Sequence, residues 1–171
     1  MIPPMRGALL TILACLTLAL ALVVTGCGSD SSTSESSSTS TTTEEPAPKK
    51  SKPKVKVPKG APPKQLVTKD LEEGSGPAAK AGDEVTVQYV GVNYKTGKEF
   101  DASWDRGEPF AFQLGGNFVI PGWEEGIEGM KVGGRRELVI PPELGYGPAG
   151  SPPAIPPNET LVFVVDLLEV K

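Results

Sequence analysis

YVGVNYKTGKEFDASWDRGEPFAFQLGGNFVIPGWEEGIEGMKVGGRRELVIPPELGYG, residues 89–147, sets the architecture, because it places one short helix among hairpin-forming strands. Lys95-Thr96-Gly97-Lys98 is a turn, and Glu99-Phe100 starts the return strand. Phe110-Ala111-Phe112-Gln113-Leu114 is another short strand. Pro121 suits the first turn of a helix, where its missing N–H costs nothing. Trp123, Ile127 and Met130 follow at offsets of four and three, one apolar stripe on a helix of about nine residues. Gly133-Gly134 should end it, and RRELVI (135–140) is a strong strand candidate.

Working outward, EVTVQYVGVNY (84–94) alternates, with Val85, Val87 and Tyr89 pointing one way and Thr86 and Gln88 the other. That is the pattern of a half-buried strand. Ala81-Gly82-Asp83 is the turn before it, and Leu66–Leu71 a weaker strand ended by Glu73-Gly74-Ser75-Gly76-Pro77. On the other side, TLVFVVDLLEV (160–170) is a second strong strand. The expected domain, residues 66–171, is α+β: five or six strands in a mainly antiparallel sheet, curled over one short helix.

These residues closely resemble FKBP-type peptidyl-prolyl cis-trans isomerases over nearly the whole of 66–171. The likeness is carried by Tyr89 on the first long strand, then G-x-x-F-D, V-I-P-G-W, Y-G and P-x-x-T-L-V-F, in order and at similar spacing. It implies an FKBP-like fold and a pocket whose catalytic wall is Tyr89, Phe100, Asp101, Trp123, Tyr146 and Phe163. Arg106, Phe110, Val119, Ile120 and Ile155 would bind substrate. Trp123 would floor the pocket, with partial exposure; without the resemblance, Trp123 and Phe163 read as ordinary core. Asp101 either holds its loop in shape or contacts the twisting carbonyl. The Tyr146 hydroxyl and the Ile120 N–H are the implied donors to the ligand. Phe118 stands where many members carry an acidic or polar residue, and Ser151 and Ala154 are small for the flap, Gly147–Pro157.

Composition fits that activity. The chain has no histidine, and its two cysteines, Cys15 and Cys27, precede the domain. The domain therefore has no thiol nucleophile, disulfide, or cysteine or imidazole metal ligand. It also lacks the side chain most used for proton transfer near neutral pH. Xaa-Pro isomerisation needs none of these, since it breaks no covalent bond. No cofactor and no metal are expected, and the carboxylates form no EF-hand-like run. A net charge of −4 argues against a nucleic-acid partner. The implied partners are unfolded, Xaa-Pro-containing exported polypeptides and macrolide inhibitors.

The remaining sequence gives an address. Arg6 precedes an apolar run from Gly7 to Val24, and Val24-Thr25-Gly26-Cys27 resembles a bacterial lipobox. Residues 1–26 are expected to be a lipoprotein signal peptide, with a retained anchor helix as the competing reading. Cys27 would become the first residue, carrying two or three acyl chains such as palmitate, enough for stable membrane anchoring. Residues 27–65 are expected to be a disordered tether, Ser/Thr-rich and then Pro/Lys-rich. Its lysines, Lys49, Lys50, Lys52, Lys54, Lys56 and Lys59, read as a solvated spacer or as a contact with an anionic surface. The expectation is an extracytoplasmic, lipid-anchored, monomeric isomerase. A peptide-binding module without turnover and a structural surface lipoprotein are the alternatives.

Overall fold

The structure, a computed structural model, describes residues 50–171. The apolar leader, Cys27 and the tether as far as Lys49 lie outside the described residues. The strands are β1 (Val67–Glu72), β2 (Glu84–Asn93), β3 (Glu99–Ala102), β4 (Phe110–Gln113), β5 (Arg135–Ile140) and β6 (Leu161–Val170). All pairings are antiparallel, in the order β1-β5-β6-β2-β3, with β4 also on β2. The two ten-residue strands, β2 and β6, are the centre. The far edge of β2 is divided: β4 pairs with Glu84–Val87 and β3 with Val90–Val92. The chain between β3 and β4 must leave the sheet there, and that excursion carries part of the pocket.

Helix α2 (Pro121–Ile127) covers the concave face. It starts at Pro121, as expected, but ends short of Gly133: the chain leaves the helix at Glu128, with ψ at 134°, and Gly129, at φ +76°, completes the turn. Met130 lies past the helix yet stays buried, because Ala79 and Met130 bond through their backbones. Gly122 and Gly126 let α2 settle on β5. A Cβ there would lie 2.4 Å from Ile140 and 2.8 Å from Leu138. The concave core joins Trp123 and Ile127 to Val85, Val87, Leu138, Ile140, Leu161, Val165 and Leu167. A second helical turn, α1 (Ser103–Arg106), follows β3 and was not expected; four residues are too few for an apolar stripe.

The convex face departs most from the sequence reading. Val90, Val92, Val139 and Val162 are buried there with Tyr94 and Ala102, although they face away from the helix. The cover is the segment expected to be the end of a disordered tether. From Lys50 it runs as an ordered strap in which Pro53, Val55 and Val57 are half-buried and Lys52, Lys54 and Lys56 exposed. Val55 and Val57 pack on the convex cluster together with Trp104. Lys50 pairs with Glu72 at 2.7 Å, and the Ser51 carbonyl accepts from Arg135. Lys52 bridges Glu99 at 2.9 Å and Asp105 at 2.7 Å. Lys50 and Lys52 are thus ion-paired to the domain rather than solvated. The physical reason is that the convex valines would otherwise meet water, and a Lys-Val-Lys-Val alternation supplies an apolar edge against them.

Candidate functional site

The site is built on the concave side from pieces that the strand pattern aims inward. β2 carries Tyr89 and β6 carries Phe163. On a regular strand, Phe100 and Asp101 would point to opposite faces. The β2–β3 register shifts at this point: Gly91 opposes Asp101 while Val92 opposes Glu99. The extra residue re-aims the strand, so Phe100 and Asp101 both line the pocket. Gly91 makes the room. A Cβ there would lie 2.6 Å from the Phe163 ring and 2.7 Å from the Phe100 ring, and those rings meet edge-to-face at 5.5 Å.

The result is a cavity of about 500 Å³. Trp123 is its floor, with Tyr89 at 5.0 Å and Phe163 at 5.2 Å, both nearly perpendicular to it. Phe110 stands further out, 6.2 Å from Tyr89 and 6.3 Å from Trp123. Phe100, Asp101, Val119, Ile120 and Tyr146 complete the lining from the expected set. Trp123 is less exposed than expected, at 4% of its surface. It is core and pocket floor at once, because the rings around it leave only part of one surface open. Its indole N–H is buried with no acceptor among the described residues.

Two expected residues sit elsewhere. Ile155 is buried in the same concave core as Tyr89, Trp123 and Phe163 and is not among the residues that line the cavity. Arg106 reaches the site through its neighbours. Its guanidinium donates to Asp101 and, at 2.8 Å, to the Tyr89 hydroxyl, and lies 5.4 Å from the centre of the Tyr89 ring. The Tyr89 hydroxyl in turn donates to the other Asp101 oxygen. Both carboxylate oxygens are therefore engaged. Two lining residues were outside the expected set, Phe118 and Pro121. Phe118 is 73% exposed at the rim, with its ring against Gly116. The signal was there, in an aromatic directly before Val119-Ile120.

Burial, and then the Asp101 acceptor, push the Tyr89 hydroxyl above its ordinary value of 10.0, with Arg106 acting the other way. Burial, and then the Asp101 carboxylate, do the same to Tyr146. Both phenols are firmly neutral donors near pH 7. Behind the rim, the flap closes on itself through paired Ser151–Ile155 backbone bonds of 2.9 Å. It is tied to the end of β2 where the Asn93 amide donates to the Ala154 carbonyl. Among the described residues, no three His, Cys, Asp or Glu side chains are grouped to hold a metal.

Such a site, aromatic on most sides with one carboxylate held by a phenol and a guanidinium, defines a receptor for an apolar ring rather than a centre for acyl transfer. Residues 76–168 match the FKBP-type peptidyl-prolyl cis-trans isomerase family. An FK506-binding protein of Streptomyces anulatus is 58% identical over 117 residues, 68% of this chain and 94% of that protein. A probable FK506-binding protein of Corynebacterium glutamicum is 53% identical over 114 residues, 67% of this chain and 94% of the relative. The crystal structure of FkpA from Escherichia coli matches with a TM-score of 0.57 and 56% identity, over 62% of this chain and 48% of FkpA. That of AtFKBP13 matches with a TM-score of 0.58 and 38% identity, over 62% of this chain and 93% of the other. The chain belongs to the FKBP-type peptidyl-prolyl cis-trans isomerases, with their antiparallel sheet wrapped on a short helix.

Proposed function

We propose that the aromatic cavity takes the proline ring of an unfolded polypeptide onto Trp123 and lowers the barrier to rotation of the preceding amide by desolvation and orientation alone. The carrying observation is the lining: aromatic rings floor and wall the cavity, and its one carboxylate, Asp101, is already engaged by Tyr89 and Arg106. Amide rotation costs about 18–20 kcal/mol because resonance makes the planar form polar. Water stabilises that charge-separated planar form more than the twisted one. A cavity that replaces water with ring faces favours the twisted state. Each 1.36 kcal/mol of such preference is worth about tenfold in rate.

Asp101 acts by holding Tyr89 and Arg106 in place, since both of its oxygens are used for that. Tyr146 and the Ile120 N–H orient the peptide carbonyls. Macrolides of the kind named in the FK506-binding relatives enter the same cavity, with the small Ser151 and Ala154 leaving the flap side open. The lipobox ending at Cys27 supports a place outside the cytoplasm, where the protein, as a lipid-anchored monomer, serves exported chains whose Xaa-Pro bonds isomerise over tens of seconds unaided.

The test is a protease-coupled assay of cis-to-trans conversion on a short Leu-Pro-Phe peptide with the full chain. Catalysed conversion, inhibited by an FK506-type macrolide, is the expected result. Conversion at the uncatalysed rate overturns the proposal, and macrolide binding without turnover would make the domain a peptide-binding module.

A further inference from the structure

The strap touches the domain at a segment that carries part of the pocket. Segment 99–106 carries Phe100, Asp101 and Arg106; it pairs with β2 through β3, and at its middle the buried Ser103 hydroxyl accepts from the Tyr89 N–H at 2.8 Å and donates to Gln88. Beyond Ala102 the chain leaves the sheet as the single turn α1 and reaches Gly107 at φ +75°. One turn of helix has little stability of its own. The strap grips this segment at both ends. The Lys52 ammonium sits between Glu99, just before Phe100, and Asp105, just before Arg106. Between those ends, Trp104 packs with Val55 and Val57 on the convex cluster. The strap and the pocket therefore hold opposite sides of one short segment.

We propose that the strap is a positioning element for the isomerase site: Lys52, with Val55 and Val57, fixes segment 99–106 so that Asp101 and Arg106 hold Tyr89 in its catalytic orientation. This rests on the pocket reading above. Lys52 touches no pocket residue directly, so its effect is on the fraction of molecules with the segment correctly placed. Its side chain is 35% exposed, and those of Glu99 and Asp105 are 38% and 61% exposed. Salt screens pairs of that kind, so the support weakens as ionic strength rises.

The experiment compares the full chain with Lys52→Ala, Lys52→Arg and the double variant Val55→Ala/Val57→Ala. It reads kcat and KM separately, and amide hydrogen exchange in segment 99–106 against β6. In Lys52→Ala, kcat should fall about three- to tenfold with KM within about twofold, and exchange in 99–106 should quicken while β6 stays protected. Lys52→Arg should recover most of the rate. In about 1 M NaCl the wild-type kcat should fall toward that of Lys52→Ala, which should respond less because, within the segment, only the Asp101–Arg106 pair remains to be screened. The double variant guards against compensation at the lysine and should shift the same two readouts.

Unchanged exchange in 99–106 in both variants overturns the proposal. So does faster exchange with kcat unaltered, which would leave the strap a cover for the valines and nothing more. A wild-type chain without turnover would sink the isomerase reading instead, and the exchange comparison would then decide by itself whether the strap holds the segment.

Discussion

At the residue scale, the pocket depends on a few side chains with two duties each. Trp123 is both helix core and ligand floor, so Trp123→Leu should lower kcat/KM by tenfold or more. It should cost only about 1–3 kcal/mol of stability, because Leu refills part of the space. Melting temperature and turnover measured on the same sample separate the two effects. Asp101→Val leaves the Tyr89 hydroxyl and Arg106 without their shared acceptor, and should cut the rate several-fold while the domain stays folded. The rate should also be flat between about pH 6 and 8. The chain has no histidine, and the Tyr89 and Tyr146 phenols are displaced upward, away from that range. A bell-shaped profile there would require a proton-transferring group that the mechanism does not contain. The raised phenols matter for stability only in strong alkali: unfolded tyrosines ionise from about pH 10, and the folded state loses ground above that value.

At the element scale, the strap helps explain why Tyr89–Asn93 of β2 and Leu161–Leu167 of β6 are buried on both faces. Removing residues before Leu66 would uncover Val90, Val92, Val139 and Val162 and lose the packing of Val55 and Val57. At about 1–1.5 kcal/mol for each half-buried valine, the truncated chain should be about 2–3 kcal/mol less stable. The expected fall in melting temperature is about 10 °C. Acid should loosen the strap before it unfolds the sheet. The Lys50 ammonium, 2.7 Å away, holds Glu72 below its ordinary value of 4.5, and the Lys52 hydrogen bond holds Asp105 below 3.8. A depressed carboxylate contributes stability above its unfolded value and loses it as pH falls through the folded one. Faster amide exchange in 99–106 below about pH 4, with β6 still protected, is the expected signature.

At the scale of the whole molecule, the domain is one antiparallel sheet covered on both faces, by α2 on the concave side and by the strap on the convex side. From Lys50 onward the strap packs on the convex face, so the described folded unit takes in residues ahead of Leu66. If Cys27 carries acyl chains, an exported full chain should partition into the membrane fraction. Cys27→Ser should abolish incorporation of labelled palmitate with kcat and KM unaltered. Equal labelling of the two forms, or none in either, would count against the lipid anchor.

The amino-acid sequence determined the strands, the helix start and most of the pocket, for a local reason. Alternation in EVTVQYVGVNY, the run RRELVI and the Pro121–Trp123–Ile127 spacing are written at the periods of strand and helix, and backbone geometry reads them directly. The family motifs named nine of the side chains that line the cavity. What the tertiary structure alone decided is non-local. A register shift against Gly91 puts Phe100 and Asp101 on the same side, and the polar contacts of Arg106 bring it to Asp101 and Tyr89 from outside the cavity lining. The Lys/Pro-rich segment has a composition that reads as solvated chain, and only the uncovered valines of a distant face make it an ordered strap. The Lys54-Val55-Lys56-Val57 alternation was a legible hint. Its meaning depended on a surface assembled from β2, β5 and β6, which no stretch of the sequence contains by itself.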